Sequence, residues 1–228
     1  KKGARVTDGR GGYVFCANSP TCGMERVKIY SPEGNSLKSD GIGIFSNEIM
    51  KANPLLPCEE NGRLNDPIIR ENFVARIYTY KRWQNLVASG VTKHKLMTFH
   101  SQHKYALMSH NIVEYKKLGR LLAESELDVE VIAAEYISGL MDALKIKATR
   151  KSHTNTLQHI QGYFSKHIND DQRKELTNVI DEYRQGVMPL MVPLALIKHY
   201  LLEHPNEYLA EQTYLDPYPA DLKLRYGY

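Results

Sequence analysis

"NDPIIRENFVARIYTYKRWQNLVASG", residues 65–90, separates two kinds of pattern in this chain. Asp66 before Pro67 marks a helix start: the carboxylate accepts from free N–H groups of the first turn, and proline's fixed φ suits the first helical position. Ile69, Phe73, Ile77, Tyr80 and Trp83 follow at helical spacing and predict one long helix with an apolar stripe. Upstream, the β-favouring runs "GGYVFCA" and "ERVKIY" alternate with the turn signals "NSPTCG" and "SPEGN", and "GIFSNEIMKANP" reads as a short helix ended by Pro54. That is α/β patterning, and the long helix leads out of it.

Beyond Gly90 the strand signals vanish. Asn111 with Glu114, and Ser125 with Asp128, each resemble a capping box ahead of an apolar-periodic run. Leu157, Ile160, Phe164 and Ile168 predict another helix; Leu176, Val179, Ile180 and Tyr183 predict the next, and Pro189 to Glu203 a last one. About six helices over roughly 140 residues make a compact all-α domain. The expected fold class is therefore mainly α: a partial, Rossmann-like α/β unit over residues 1–85, then an all-α domain over residues 86–228.

The chain has 228 residues, enough for one or two domains with their own cores. Its opening, "KKGARVTDGRGG", runs into a strand as though an α/β unit were entered partway through. No charged n-region with an apolar core and cleavage site is visible, so a cytoplasmic location is expected. Val187 to Leu202 is the most apolar stretch, but Pro189, Pro193, Lys198 and His199 interrupt it, which predicts a buried helix and no membrane span. The net charge of +4 is unevenly placed. Lys93, Lys95, Lys104, Lys116, Lys117 and Arg120 face the single acid Glu114, then acids alone run from Glu124 to Asp142, and Lys145, Lys147, Arg150, Lys151 and Lys166 follow without an acid. Such segregation suits a polyanion such as nucleic acid, and it equally suits solvated helix ends.

Two stretches can carry chemistry. Cys16, Cys22 and Cys58 are too few and too irregularly spaced for a disulfide framework, and C-x5-C with a distant third cysteine matches no common zinc or ferredoxin pattern. Cys22 alone sits in a ligand-like loop. In "FHSQHKYALMSH", residues 99–110, His100, His103 and His110 fall in one sector of a helix with Lys104 and Tyr105 among them. Such a stripe can ligate a metal, bind phosphate and stack on bases, or line a helix-packing seam.

Longer quotations carry a resemblance. "SPTCGMERVKIY", "GIGIFSNEIMKANPLLP" and "EENGRLNDPIIRENFVARIYTYKRWQ" resemble the second half of the TudS-type desulfidase domain, whose members remove sulfur from thiolated uracils; the likeness spans roughly residues 11–85. "FHSQHKYALMSH", "YKKLGRLLA", "YRQGVMPLMVPLALIKHY" and "YLAEQTYLDPYP" resemble the YbgA-type domain over nearly all of residues 90–228. Together they look like the two-domain bacterial desulfidases, called RudS, that act on 4-thiouridine in transfer RNA.

The resemblance implies a [4Fe-4S] cluster held by three cysteines, the last in a Ser-Pro-Ser/Thr-Cys-Gly loop that matches Cys22. The other two are expected upstream of Lys1; Cys16 and Cys58 match no ligand position, so this chain alone is expected to assemble no cluster. Three thiolates leave one iron open to take a thiocarbonyl sulfur as a Lewis acid while water attacks the carbon. Ser19, with Thr21 second, is the implied hydroxyl beside the cluster. The implied partner is transfer RNA. Lys93, Lys95, Lys104, Lys116, Lys117, Arg120, Arg150 and Lys151 are expected at phosphates, His100, His103 and Tyr105 nearer the base, and His110 among the RNA-binding residues. A turn at Asn111 is expected to bring Lys104 and the Lys116, Lys117 and Arg120 group onto one surface. The competing readings are a non-catalytic nucleic-acid-binding protein and a metal site built on the three histidines.

Overall fold

The computed structural model describes residues 9–225 and divides the chain into two units, Lys1–Gln84 and Asn85–Tyr228. In the first, β1 (Tyr13–Phe15) pairs parallel with β4 (Cys58–Glu60), and β2 (Val27–Tyr30) pairs antiparallel with β3 (Ser36–Gly41). Parallel neighbours need a long crossover. Here the crossover carries the β2–β3 hairpin and α1 (Ile44–Ala52), and Phe15, Ile49, Leu56 and Cys58 form the core beneath it. β3 and β4 were not legible as strands. "SLKSDG" has little β-branched character, and its pairing follows from the hairpin turn at Gly34, whose φ is +87°. Cys58 opens β4 and is buried, while Cys16 lies just past the end of β1 and is exposed.

Helix α2 (Pro67–Ala88) begins as its sequence dictates, with Asp66 Oδ1 accepting from the N–H groups of Ile68 at 2.8 Å and Ile69 at 3.2 Å. Its buried face is more polar than the apolar stripe suggested. Phe73 and Trp83 are buried, but so are Asn72, Arg76 and Thr79, whereas Ile69, Ile77 and Tyr80 are half-buried.

The second unit is helical among the described residues: α3 (Lys93–His110), α4 (Ile112–Glu124), α5 (Val129–Lys145), α6 (Arg150–Phe164), α7 (Asp170–Gln185), α8 (Met191–Glu203) and the short α9 (Glu207–Ala210). α3 packs against α4, α5 and α6, and α6 against α7 and α8. The central core joins Tyr105 and Met108 of α3 to Leu157 and Ile160 of α6, Leu176 and Ile180 of α7, Ile197 of α8 and Tyr214 beyond α9. Asn111 caps α4 by accepting from Val113 N–H and Glu114 N–H, both at 3.1 Å. Ser125 does not start the next helix: it ends α4, its Oγ accepts from Leu127 N–H, and Asp128 is the residue preceding α5. Ile168 is likewise outside α6, which stops at Phe164, yet it remains in the core from the following turn. No helix among the described residues is long and apolar enough to cross a membrane.

Candidate functional site

The loop bearing Cys22 is built from backbone. Ser19 Oγ accepts from Thr21 N–H at 3.3 Å and Cys22 N–H at 3.1 Å, and Ser19 O accepts from Gly23 N–H at 2.7 Å. The loop then serves as the cap of α1. Pro20 O, Thr21 O and Gly23 O accept from the N–H groups of Ile44 (3.4 Å), Phe45 (2.9 Å) and Gly43 (2.8 Å), which a helix start would otherwise leave unpaired. The approach is close enough to require glycine: a Cβ on Gly43 would stand 2.5 Å from the Thr21 carbonyl and 2.8 Å from Cys22 N. From the other side, Glu60, buried in β4, accepts from Met24 N–H at 2.7 Å, and Ser46 Oγ donates to Gly23 O at 2.6 Å. Cys22 is thus a half-exposed thiol on a fixed loop, Ser19 is half-buried with its oxygen committed to the turn, and Thr21 is exposed.

Among the described residues no group of three His, Cys, Asp or Glu is arranged to hold a metal ion. The described residues therefore supply no complete ligand set for the [4Fe-4S] cluster that the resemblance implies; Cys22 is the one thiol in the implied loop.

In the second unit, α3 packs against three neighbours and buries seven of its 18 residues, His103 among them, and this reassigns the histidine stripe. His103 is 1 % exposed; its Nδ1 lies 2.7 Å from Phe99 O and its ring stacks on Phe99 at 4.0 Å. His110 Nδ1 donates to Ile146 O at 2.5 Å. His100 is half-buried, stacked on Tyr115 at 5.3 Å and bonded through Nδ1 to Tyr136 Oη at 3.3 Å. The three imidazoles serve three different partners and form no common ligand set. Tyr105, expected near a base, is a core residue with no exposed surface. Lys95 is tied to the end of α2, donating to Ser89 O at 2.6 Å and Gly90 O at 2.9 Å, which is the ordinary role of a cation near a helix C-terminus. Arg150 likewise donates to Tyr183 O at 2.7 Å and lies over the Tyr183 ring, and Lys93 Nζ reaches Ser125 O at 3.4 Å.

What remains is a groove between α3 and α4. Lys104 Nζ stands 5.0 Å from the centre of the Tyr105 ring and 5.7 Å from that of Tyr208, and it is lined up with His100, Ser101, Tyr115 and Gly119. Tyr208 reaches this place because the chain after α9 is bonded back to α3: Gln212 Nε2 donates to Ser101 O at 2.9 Å and Thr213 N–H to Gln102 O at 2.9 Å. Tyr163 stacks on Tyr208 at 5.7 Å. Burial, then the Tyr163 and Tyr115 phenols, pushes Tyr208 up to about 12; burial, then Tyr163, raises Tyr105 and Tyr115 as well. The Tyr105, Tyr115 and Tyr208 phenols remain neutral hydrogen-bonding groups at physiological pH. Burial, then the Lys104 charge, holds His100 down to about 4, so its imidazole is neutral too. Lys104 is the one full charge lining the groove.

The turn at Asn111 does not bring the other cations to Lys104. With Tyr115 and Gly119 facing the groove, Lys116, Lys117 and Arg120 lie about 100–200° further round α4 at 100° per residue. Lys116 and Arg120 are exposed there, as is Lys151 on α6, and Lys117 pairs with Glu114 at 3.0 Å beside a second groove that also holds Glu135 and Asp142. Tyr115, Tyr163 and Tyr208 were missed as site residues because they come from three different helices, and no local spacing reports that they meet.

The geometry is that of a helical module with an aromatic, singly cationic groove. Residues 104–219 match the model of a domain family described as "Protein of unknown function (DUF1722)", and the chain belongs to that family. Over 159 residues it is 33% identical to "Uncharacterized protein YbgA" of Escherichia coli (strain K12), a match that covers 69% of this chain and 94% of that protein. No solved structure matches it.

Proposed function

We propose that the protein acts on transfer RNA to remove sulfur from thiolated uridine, its helical unit binding the RNA. The observation that carries the RNA assignment is Lys104 held between the Tyr105 and Tyr208 rings beside the His100–Tyr115 stack. A cation for phosphate next to aromatic faces for bases is the combination single-stranded nucleic acid requires. Support for sulfur removal comes from the likeness of residues 11–85 to the TudS-type desulfidases and from the fixed loop that presents Cys22. A [4Fe-4S] cluster there would take Cys22 as one ligand, and no step is assigned to it because the described residues do not complete the site. A second reading is a non-catalytic RNA-binding protein, which the Lys104 groove supports by itself.

The test combines binding and chemistry on the full chain. Thiolated transfer RNA is titrated at several salt concentrations, and 4-thiouridine is counted in digested RNA after incubation with protein treated anaerobically with iron and sulfide. Salt-weakened binding is the expected result for this chain alone; loss of thiouridine that Cys22→Ser abolishes is expected once the two further cysteines of the family motif are supplied. Binding with no iron retained and thiouridine intact even then supports the binding role alone. Absence of binding overturns both readings.

A further inference from the structure

We infer that the α3–α4 groove is a pocket for a single unpaired nucleobase of the bound RNA, seated against Tyr115 and Tyr208 with Lys104 at the adjoining phosphate. This rests on the RNA-binding reading and makes it more specific: the helical unit selects splayed-out, single-stranded segments over duplex.

Size comes first. The groove encloses about 230 Å3, below the roughly 300–1,000 Å3 of pockets for drug-sized ligands, so it suits one ring system more than an extended molecule. Its composition is the second argument. Met97, Leu122 and Ala123 supply apolar surface, Tyr115 and Tyr208 supply aromatic surface, and His100, Ser101 and Lys104 supply the polar atoms. Bases in a duplex have both faces stacked and their pairing edges occupied, so only an unstacked base can use such walls.

The polar atoms are arranged for a base edge. His100 uses Nδ1 on Tyr136 Oη, and its other ring nitrogen looks towards Gly119, where a Cβ would come within 3.4 Å of Nε2. The missing side chain leaves that nitrogen room for a partner. Because His100 is neutral, it offers a directional hydrogen bond and no competing charge, which leaves phosphate attraction to Lys104.

Charge separates this groove from its neighbour. The one between α4 and α5 is larger but lined by Glu114, Glu135 and Asp142 against Lys117, which pairs with Glu114, so its net charge is negative and disfavours a polyanion. Among the described residues no carboxylate lines the α3–α4 groove.

The experiment uses the full chain and three probes: a mixed-sequence single-stranded RNA, a duplex RNA of equal length, and the single strand as DNA. Wild type should bind the single-stranded RNA at least about 10-fold more tightly than the duplex. Tyr115→Leu, which keeps apolar bulk and removes the aromatic face, should weaken single-strand binding about 10- to 100-fold, the range set by loss of one base–aromatic stack. Its salt slope should stay unchanged, because that slope counts phosphates; Lys104→Ala should lower affinity and slope together. Should Tyr115→Leu lose its fold, Ala123→Phe, which plugs the groove from an exposed position, decides the matter by the same loss. Equal wild-type affinity for single strand and duplex, or undiminished single-strand binding by both groove variants, overturns the pocket while leaving RNA binding standing. No binding of any RNA by wild type removes both. Equal affinity for the DNA strand is the expected result, because the pocket reads the base and not the ribose; binding of the single-stranded RNA with none of the DNA would overturn recognition through the base.

Discussion

Mild acid should loosen the helical unit, and two partly buried histidines set the size of the effect. His153 sits on α6 with Nδ1 3.0 Å from Tyr214 Oη and its ring 6.3 Å from that of Tyr183. Burial, then the positive charges of Arg225, His110 and Arg150, holds its pKa down to about 3. His100 is held down to about 4 by burial and then Lys104. In the unfolded chain each takes up a proton below about pH 6.5. The unfolded state therefore binds more protons than the folded one, and stability falls as pH drops from 6.5 towards these folded values. Between pH 7 and pH 5 each histidine should cost about 2 kcal/mol, about 4 kcal/mol together. Urea unfolding followed by circular dichroism at both pH values measures the difference. In His153→Gln, whose amide can still bond Tyr214 but cannot titrate, the loss between the two pH values should shrink to about 2 kcal/mol. A wild type equally stable at pH 7 and pH 5, or a variant that loses as much as wild type, would refute the reasoning.

Gly43→Ala should cost about 1–3 kcal/mol, because its Cβ meets backbone that cannot step aside, and should speed modification of Cys22 by a thiol reagent; an unchanged rate would mean the loop is not held as described. Asn111→Ala removes the cap of α4 and should lower stability by about 1 kcal/mol in thermal or urea unfolding. Replacing Lys116, Lys117 and Arg120 together by alanine tests whether the outer face of α4 assists RNA binding. Since Lys117 already pairs with Glu114, the salt slope for transfer RNA should flatten by about 2 units, and an unchanged slope would leave the α3–α4 groove as the sole contact in this region.

Element boundaries were most legible where one residue type has one job. Asp66 and Pro67 start α2, Asn111 starts α4, and Pro54 follows the end of α1, because capping and ring geometry are local. The hairpin strand β3 was not legible, since a turn and not its own composition pairs it. The fate of the histidines was hidden for another reason. A stripe on a helix is visible in sequence, but whether it faces solvent depends on how many neighbours the helix has, and α3 has three. For the same reason Lys95 and Arg150 counted as surface charges until their backbone partners at Ser89 and Tyr183 were seen. The groove itself needed Tyr208, which lies about a hundred positions from Lys104 and arrives only through the bonds of Gln212 and Thr213 to α3.

The way the Cys22 loop caps α1 ties a reactive position to a unit of local unfolding. The amides of Gly43, Ile44, Phe45 and Ser46 all donate to carbonyls of residues 20–23, so lifting the loop releases every one of them at once. Those four protons should exchange with solvent in concert, as one opening event with one free energy. Anything that clamps the sulfur, a metal or an alkyl group, would then slow exchange three residues deep into a helix it never touches, and the first turn of α1 becomes a recorder of what happens at the thiol.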